Sequence, residues 1–227
     1  MEIVPGVHTI DSLGMGRAYL AIDADRVTVI DTGLKGSAER VLRAVEAAGR
    51  KPQDVRQIVI THHRGDHTGS LAELAERTGA QVMVHALDAP VVRGERPPPG
   101  PTSGGLLKPL LARMSRPALA ARVDRELADG DEIDALDGMR VVHTPGHTPG
   151  SICLYCPKRR LLFTGDAIAN TFGLRPPIGW FTEDTAQAKE SMRKLAALDF
   201  EAVFFGHGRP IDKKAAPRFR RFAEKLR

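Results

Sequence analysis

Apolar positions in this chain switch between two periods. Arg17–Ile22 and Arg26–Ile30 alternate around an Asp23-Ala24-Asp25 turn and predict a β-hairpin. Ala38, Val41, Leu42, Val45 and Ala48 then fall at helical spacing, with Ser37 placed to cap the start and Gly49 to end it. A strand from Gln57 to Thr61 follows, then a helix over 70–77 that turns Leu71, Leu74 and Ala75 inward and stops at Gly79, then a strand over 81–85. The later part repeats this logic with strands at Met139–His143, Ile152–Cys156, Leu161–Thr164 and Ala202–Phe205. A helix over 185–198 precedes the last strand, and Asp184 and Gln187 have capping-box spacing at its start. Phe219, Phe222, Ala223 and Leu226 predict an amphipathic helix in the tail. By periodicity alone, this order gives α/β or α+β.

Residues 90–129 break the pattern. Arg96-Pro97-Pro98-Pro99-Gly100-Pro101 is neither a helix nor a central strand. Leu106, Leu107, Leu110, Leu111 and Met114, then Leu119, Val123 and Leu127, suggest two short helices joined by Pro117. The segment is expected to be a lid-like insertion within one domain spanning 1–227.

With 227 residues, 42% of them hydrophobic, the chain can bury a substantial core. A net charge of +5 accounts for solubility and suits a small, anionic substrate. The start lacks a basic stretch leading into a long apolar run, and no apolar run is long enough to span a bilayer. These features point to a cytoplasmic protein with no membrane partner. Arg218, Arg220 and Arg221 lie on the predicted tail helix as a solvated face, so no nucleic-acid partner is expected. Cys153 and Cys156 have Cys-x-x-Cys spacing, but three positions along a strand puts them on opposite faces and roughly 10 Å apart, beyond disulfide reach.

The chemistry concentrates at strand ends. Thr61-His62-His63-Arg64-Gly65-Asp66-His67 follows an apolar run, and His147, Asp166 and His207 each follow a later strand. Imidazole and carboxylate together suit a borderline-hard divalent ion. These motifs, in this order, resemble the metallo-β-lactamase superfamily, whose signature is His-x-His-x-Asp-His followed by a His, an Asp and a His. The resemblance runs from Asp31-Thr32-Gly33 to Gly206-His207-Gly208. It implies a four-layered αββα sandwich and two metal positions. The first would be formed by His62, His147 and a bridging Asp166, and the second by Asp66, His67, His207 and the same Asp166. Asp31 matches the acidic residue that braces the family's site.

This sequence departs from the signature at Arg64, where the second His of the loop should stand. Arginine stays protonated at any working pH and cannot ligate a metal. The resemblance therefore implies one tightly bound Zn2+, or two, with Fe or Mn as the other candidates. Asp66 would orient a metal-activated water and move a proton, while Arg64 would contact substrate or form an ion pair. His63 takes the variable slot of the loop, facing solvent or the site mouth, and His8, His85 and His143 are read as structural.

Phe181-Thr182-Glu183-Asp184 and His207-Gly208-Arg209-Pro210 look like the general hydrolase branch, with its lactonases and hydroxyacylglutathione-type hydrolases. The leading expectation is a metal-dependent hydrolase of a small ester, thioester or lactone. One alternative is a mononuclear iron thiol or persulfide dioxygenase using His62, His147 and Asp166. The other is a binding protein whose first metal site has decayed.

Overall fold

The computed structural model describes residues 1–10, 15–102 and 119–226, which form two compact units. The first comprises Met1–Pro98 and Arg116–Leu127, and the second Pro99–Ser115 and Ala128–Arg227.

The first unit is built on a seven-stranded sheet in the order β1-β2-β3-β4-β5-β6-β7. Its strands are β1 (Glu2–Val4), β2 (Val7–Ile10), β3 (Ala18–Ile22), β4 (Val27–Ile30), β5 (Val55–Ile60), β6 (Gln81–His85) and β7 (Arg125–Leu127). Pairing is antiparallel from β1 to β4 and parallel from β4 to β7. The helices between parallel strands are α1 (Ala38–Ala47), a single turn α2 (Gly65–Thr68), α3 (Leu71–Thr78) and α4 (Ala89–Val92). Val41, Leu42 and Val45 of α1 and Leu71 and Leu74 of α3 share one buried cluster with Leu20, Val29, Ile58, Ile60, Val82 and Val84 of the sheet. Gly79 ends α3 in the left-handed conformation at φ 70°, as the sequence predicts. Ser37 does stand at the start of α1, but its side chain makes no capping bond.

The second unit has a five-stranded sheet in the order β12-β11-β10-β9-β8, formed by β8 (Glu132–Ile133), β9 (Met139–His143), β10 (Ile152–Cys156), β11 (Leu161–Phe163) and β12 (Ala202–Phe204). Only β11 and β12 are parallel. Two helices, α5 (Thr185–Ala196) and α6 (Ala215–Ala223), bury Leu195 and Phe219 in a cluster with Cys153, Leu162, Phe200 and Val203. Phe200 and Phe219 meet edge to face at 5.6 Å between centroids. The Asp184 carboxylate accepts the Gln187 N–H at 2.9 Å, the forward half of the predicted capping box. Cys153 and Cys156 are buried thiols, and burial pushes the Cys153 thiol up to about 12.

The insertion differs from expectation where it is described. Leu119, Val123 and Leu127 do not form a helix; 125–127 is strand β7, paired in parallel with β6. Cross-strand hydrogen bonding at the sheet edge overrides a three-to-four spacing too short to nucleate a helix. Leu106 to Met114 and Pro117 lie outside the described residues. Among the described residues, no helix is long and apolar enough to cross a membrane.

Candidate metal centre

In the first unit, the site grows from the carboxyl ends of two neighbouring parallel strands. Ile30 of β4 pairs with Val59 of β5, so Asp31 and Thr61 leave the sheet side by side. Asp31 is buried with φ 60°, a left-handed conformation that Asp tolerates better than most side chains. That backbone turns its carboxylate toward the metal loop. Oδ1 accepts the Thr61 N–H at 2.8 Å, and Oδ2 accepts the Thr61 hydroxyl at 2.8 Å. Oδ2 also lies 2.8 Å from His67 Nδ1.

These contacts fix two imidazole tautomers. A carboxylate only accepts, so His67 Nδ1 carries the proton and Nε2 holds the lone pair. Thr61 Oγ1 spends its own proton on Asp31, so at 3.0 Å it accepts from His62 Nδ1. His62 Nε2 is therefore also a lone-pair nitrogen. The two rings lie 4.1 Å apart between centroids. A ligand nitrogen of His62 lies within 4.8 Å of one on His67, and ligand atoms of Asp66 and His67 are as close. His67 Nε2 is 3.7 Å from Asp66 Oδ2. Such pre-oriented imidazoles, each held through its other nitrogen, suit metal ligation.

The loop is not open coil, since 65–68 form the turn α2 and place Asp66 and His67 on it. Arg64 begins that turn and is itself buried, with its carbonyl accepting the His67 and Thr68 N–H groups at 2.9 and 3.0 Å. A buried permanent cation thus stands between His62 and Asp66 in the chain. Gly16 fits closely against the loop: a Cβ there would come within 2.6 Å of the Asp66 carbonyl oxygen.

His63 departs from its expected position. It faces neither solvent nor a mouth, because its side chain is buried with Nδ1 3.0 Å from Asp88 Oδ2. The same Asp88 oxygen accepts the His63 N–H at 2.9 Å. Sequence reasoning did not identify Asp88 or the Thr61 hydroxyl. Thr61 adjoins the motif, but Asp88 carries no local signal.

In the second unit, β11 and β12 run in parallel with Phe163 opposite Phe204. Asp166 and His207 each lie three residues past that pair, so the register alone brings them together. Asp166 Oδ2 is 3.1 Å from His207 Nε2 and 3.6 Å from His147 Nε2. One carboxylate oxygen between two imidazoles is the placement a bridging ligand needs. The loop carrying His147 is held by main-chain bonds, from Asp184 N to Gly146 O at 2.9 Å and from Glu183 N to His147 O at 3.3 Å. Ser191 Oγ of α5 adds a bond to Pro145 O at 2.7 Å. His143, read as structural, has Nε2 2.8 Å from Pro149 O and braces the same loop.

The donor set fits a divalent ion. Each unit supplies two imidazoles and one carboxylate, the chemistry zinc prefers. Residues 11–207 match the family model of the metallo-beta-lactamase superfamily. The chain is 32% identical to the probable metallo-hydrolase YflN of Bacillus subtilis, over 94% of this chain and 88% of that one. It is 34% identical to a hydroxyacylglutathione hydrolase of Cereibacter sphaeroides over 86% of its length, spanning 63% of that relative. A metallo-beta-lactamase family protein from Thermus thermophilus shares the fold at a TM-score of 0.75 and 21% identity, covering 99% of this chain and 79% of that one. The αββα class expected from the motifs is thus borne out. The chain belongs to the metallo-beta-lactamase superfamily and is a metallo-hydrolase.

Proposed function

We propose that this chain hydrolyses a small thioester, ester or lactone with an anionic part, using zinc and the ligands that the resemblance assigns, His62, Asp66 and His67 in the first unit and His147, Asp166 and His207 in the second. The single observation that carries this reading is the pair of fixed tautomers in the first unit, which leaves Nε2 of both His62 and His67 as lone-pair donors. The likeness to a hydroxyacylglutathione hydrolase supports the thioester among these substrates.

A bound zinc supplies Lewis acidity and brings the pKa of a water to about 7. Asp66, on the turn α2, would be the group to orient such a water and to pass a proton toward the leaving group. Asp166, with Oδ2 near Nε2 of both His147 and His207, would be the carboxylate ligand of the second unit. Arg64 keeps its charge and cannot replace the missing imidazole, so it lowers the affinity of the position assigned to His62, His147 and Asp166. It serves instead as a donor to a substrate carboxylate or a developing oxyanion. The products are an acid and a thiol or alcohol; for a lactone, they are one hydroxy acid.

The test combines elemental analysis of protein purified without added metal with a hydrolysis assay over thioesters, esters and lactones. Zinc, with turnover that a chelator abolishes and zinc restores, is expected. Iron content with oxygen uptake on a thiol or persulfide substrate, and no hydrolysis, would overturn the reading.

A further inference from the structure

The connection leaving Asp166 carries an aromatic side chain in an unusual setting. Residues 169–175 form a small hairpin, closed by Ala169 N to Arg175 O and Arg175 N to Ala169 O, both 3.0 Å. Its base is bonded to the segment bearing His207: Asn170 N donates to His207 O at 2.9 Å, and Arg209 N donates to Asn170 O at 3.1 Å. The Asn170 side-chain amide adds a bond to Arg209 O at 2.6 Å. The approach is so close that a Cβ on Gly208, at φ 95°, would lie 2.1 Å from the Asn170 carbonyl. At the tip stands Phe172, 88% exposed, with the Arg175 guanidinium carbon 5.9 Å from its ring centroid.

A flexible loop could fold such a ring inward, but a hairpin clamped at its base keeps it in water. The hairpin starts three residues after Asp166 and is hydrogen-bonded to His207, so Phe172 is held at a fixed place relative to two metal ligands. Arg175, over the ring, is an exposed cation, and so is Arg209, whose main chain is bonded to the hairpin's base. An aromatic face beside a cation matches a molecule with an apolar chain and an acidic head.

We propose that Phe172 and Arg175 form a recognition site for the apolar acyl chain of an anionic substrate. The inference rests on the hydrolase reading above and adds the substrate's chain as the feature selected. Each methylene that becomes fully buried against Phe172 should strengthen binding by up to about fourfold. Partial cover gives less.

Calorimetric titration of the zinc-loaded protein with acetate, hexanoate and decanoate measures this without requiring turnover. Affinity of the wild-type chain should rise with chain length. Phe172→Ser should weaken decanoate by about fivefold or more and acetate by less than about twofold, at unchanged zinc content. An affinity that ignores chain length, or an equal loss for all three acids, would overturn the site. So would a wild-type dimer that Phe172→Ser dissociates in sedimentation, since the ring would then belong to a contact between copies. If no ester, thioester or lactone is cleaved but the chain-dependent loss appears, the hydrolase reading fails and this site stands. If hydrolysis is found and the loss does not depend on chain length, the reverse holds.

Discussion

The two units fix their ligands by different means. In the first, His62, Asp66 and His67 lie within six positions, and buried side chains aim them: Asp31 and Thr61 set both imidazoles, while Asp88 grips the intervening His63. In the second, the ligands come from three separate strand ends, and main-chain bonds do most of the aiming, such as Gly206 N to Gly165 O at 2.8 Å. Side-chain braces can be removed by one substitution with the backbone left in place. Main-chain braces follow from strand register and yield only when the backbone itself is strained. The first unit also contains the departure from the family signature, Arg64, so substitutions there should discriminate best between orienting and ligating roles.

The largest effect is expected from removing a ligand on either side. Asp166→Ala takes away the one oxygen that both His147 and His207 approach, and Asp66→Ala removes the carboxylate beside His67. Either should abolish hydrolysis and lose zinc on dialysis, because no neighbouring group replaces the ligand. Retained zinc with turnover within about tenfold of wild type would refute the ligand assignment.

Next comes the brace behind the first unit's ligands. Asp31→Asn keeps a side chain that tolerates φ 60°, so the backbone is not the variable. An amide offers one accepting atom where the carboxylate offers two. Whichever way it faces, Thr61 N–H or the pair Thr61 Oγ1 and His67 Nδ1 loses its acceptor. Zinc affinity should fall by about 10–100-fold. Competition with a chromophoric chelator measures it, and unchanged affinity would mean the tautomers are set by something else.

Arg64→His tests the charge rather than the orientation. Zinc content should rise from about one ion per chain toward two, because a neutral imidazole replaces a buried cation. Two fully occupied ions in the wild-type protein would show that the guanidinium does not oppose the first position.

How much of this could be read in the sequence follows the same division. The ligands, Asp31 and the parallel strands that present them were legible because each is a local signal: an apolar run, then chelating side chains. Strands β1 and β2 gave no distinct signal, being short and paired about the turn at Gly6. Asp88 was illegible for a different reason. It lies 25 positions from His63, and only the parallel pairing of β5 with β6 brings their loops together. Strand β7 read as helix because its apolar spacing is ambiguous over so few residues, and pairing decided the matter. Asp88→Ala would test that unread contact. It strands the buried His63 N–H and ring, and should cost about 1–3 kcal/mol in chemical denaturation. A cost near zero would mean that the loop keeps its shape unaided.

The smallest effect belongs to the second unit, where a side-chain brace is exposed and its main-chain neighbours carry the loop. Asp129 accepts the His143 N–H at 2.7 Å and meets Lys194 Nζ at 3.2 Å, at the end of the strand that leads to His147. Burial works against its ionisation, but the His143 N–H and Lys194 together outweigh that and hold its carboxyl below the usual carboxylate range. A folded-state pKa lower than the unfolded one means stability that is fully present above the ordinary carboxylate value and disappears as the pH falls through the depressed one. Asp129→Asn should therefore be slightly less stable than wild type at pH 7, by less than about 1 kcal/mol, since more than half of the carboxylate's surface is open to screening solvent. The gap should close below about pH 4 and narrow in high salt. Denaturation midpoints of the two proteins at pH 7 and pH 3.5 measure it. A gap that widens on acidification would reverse the sign and show that Asp129 contributes through its neutral form.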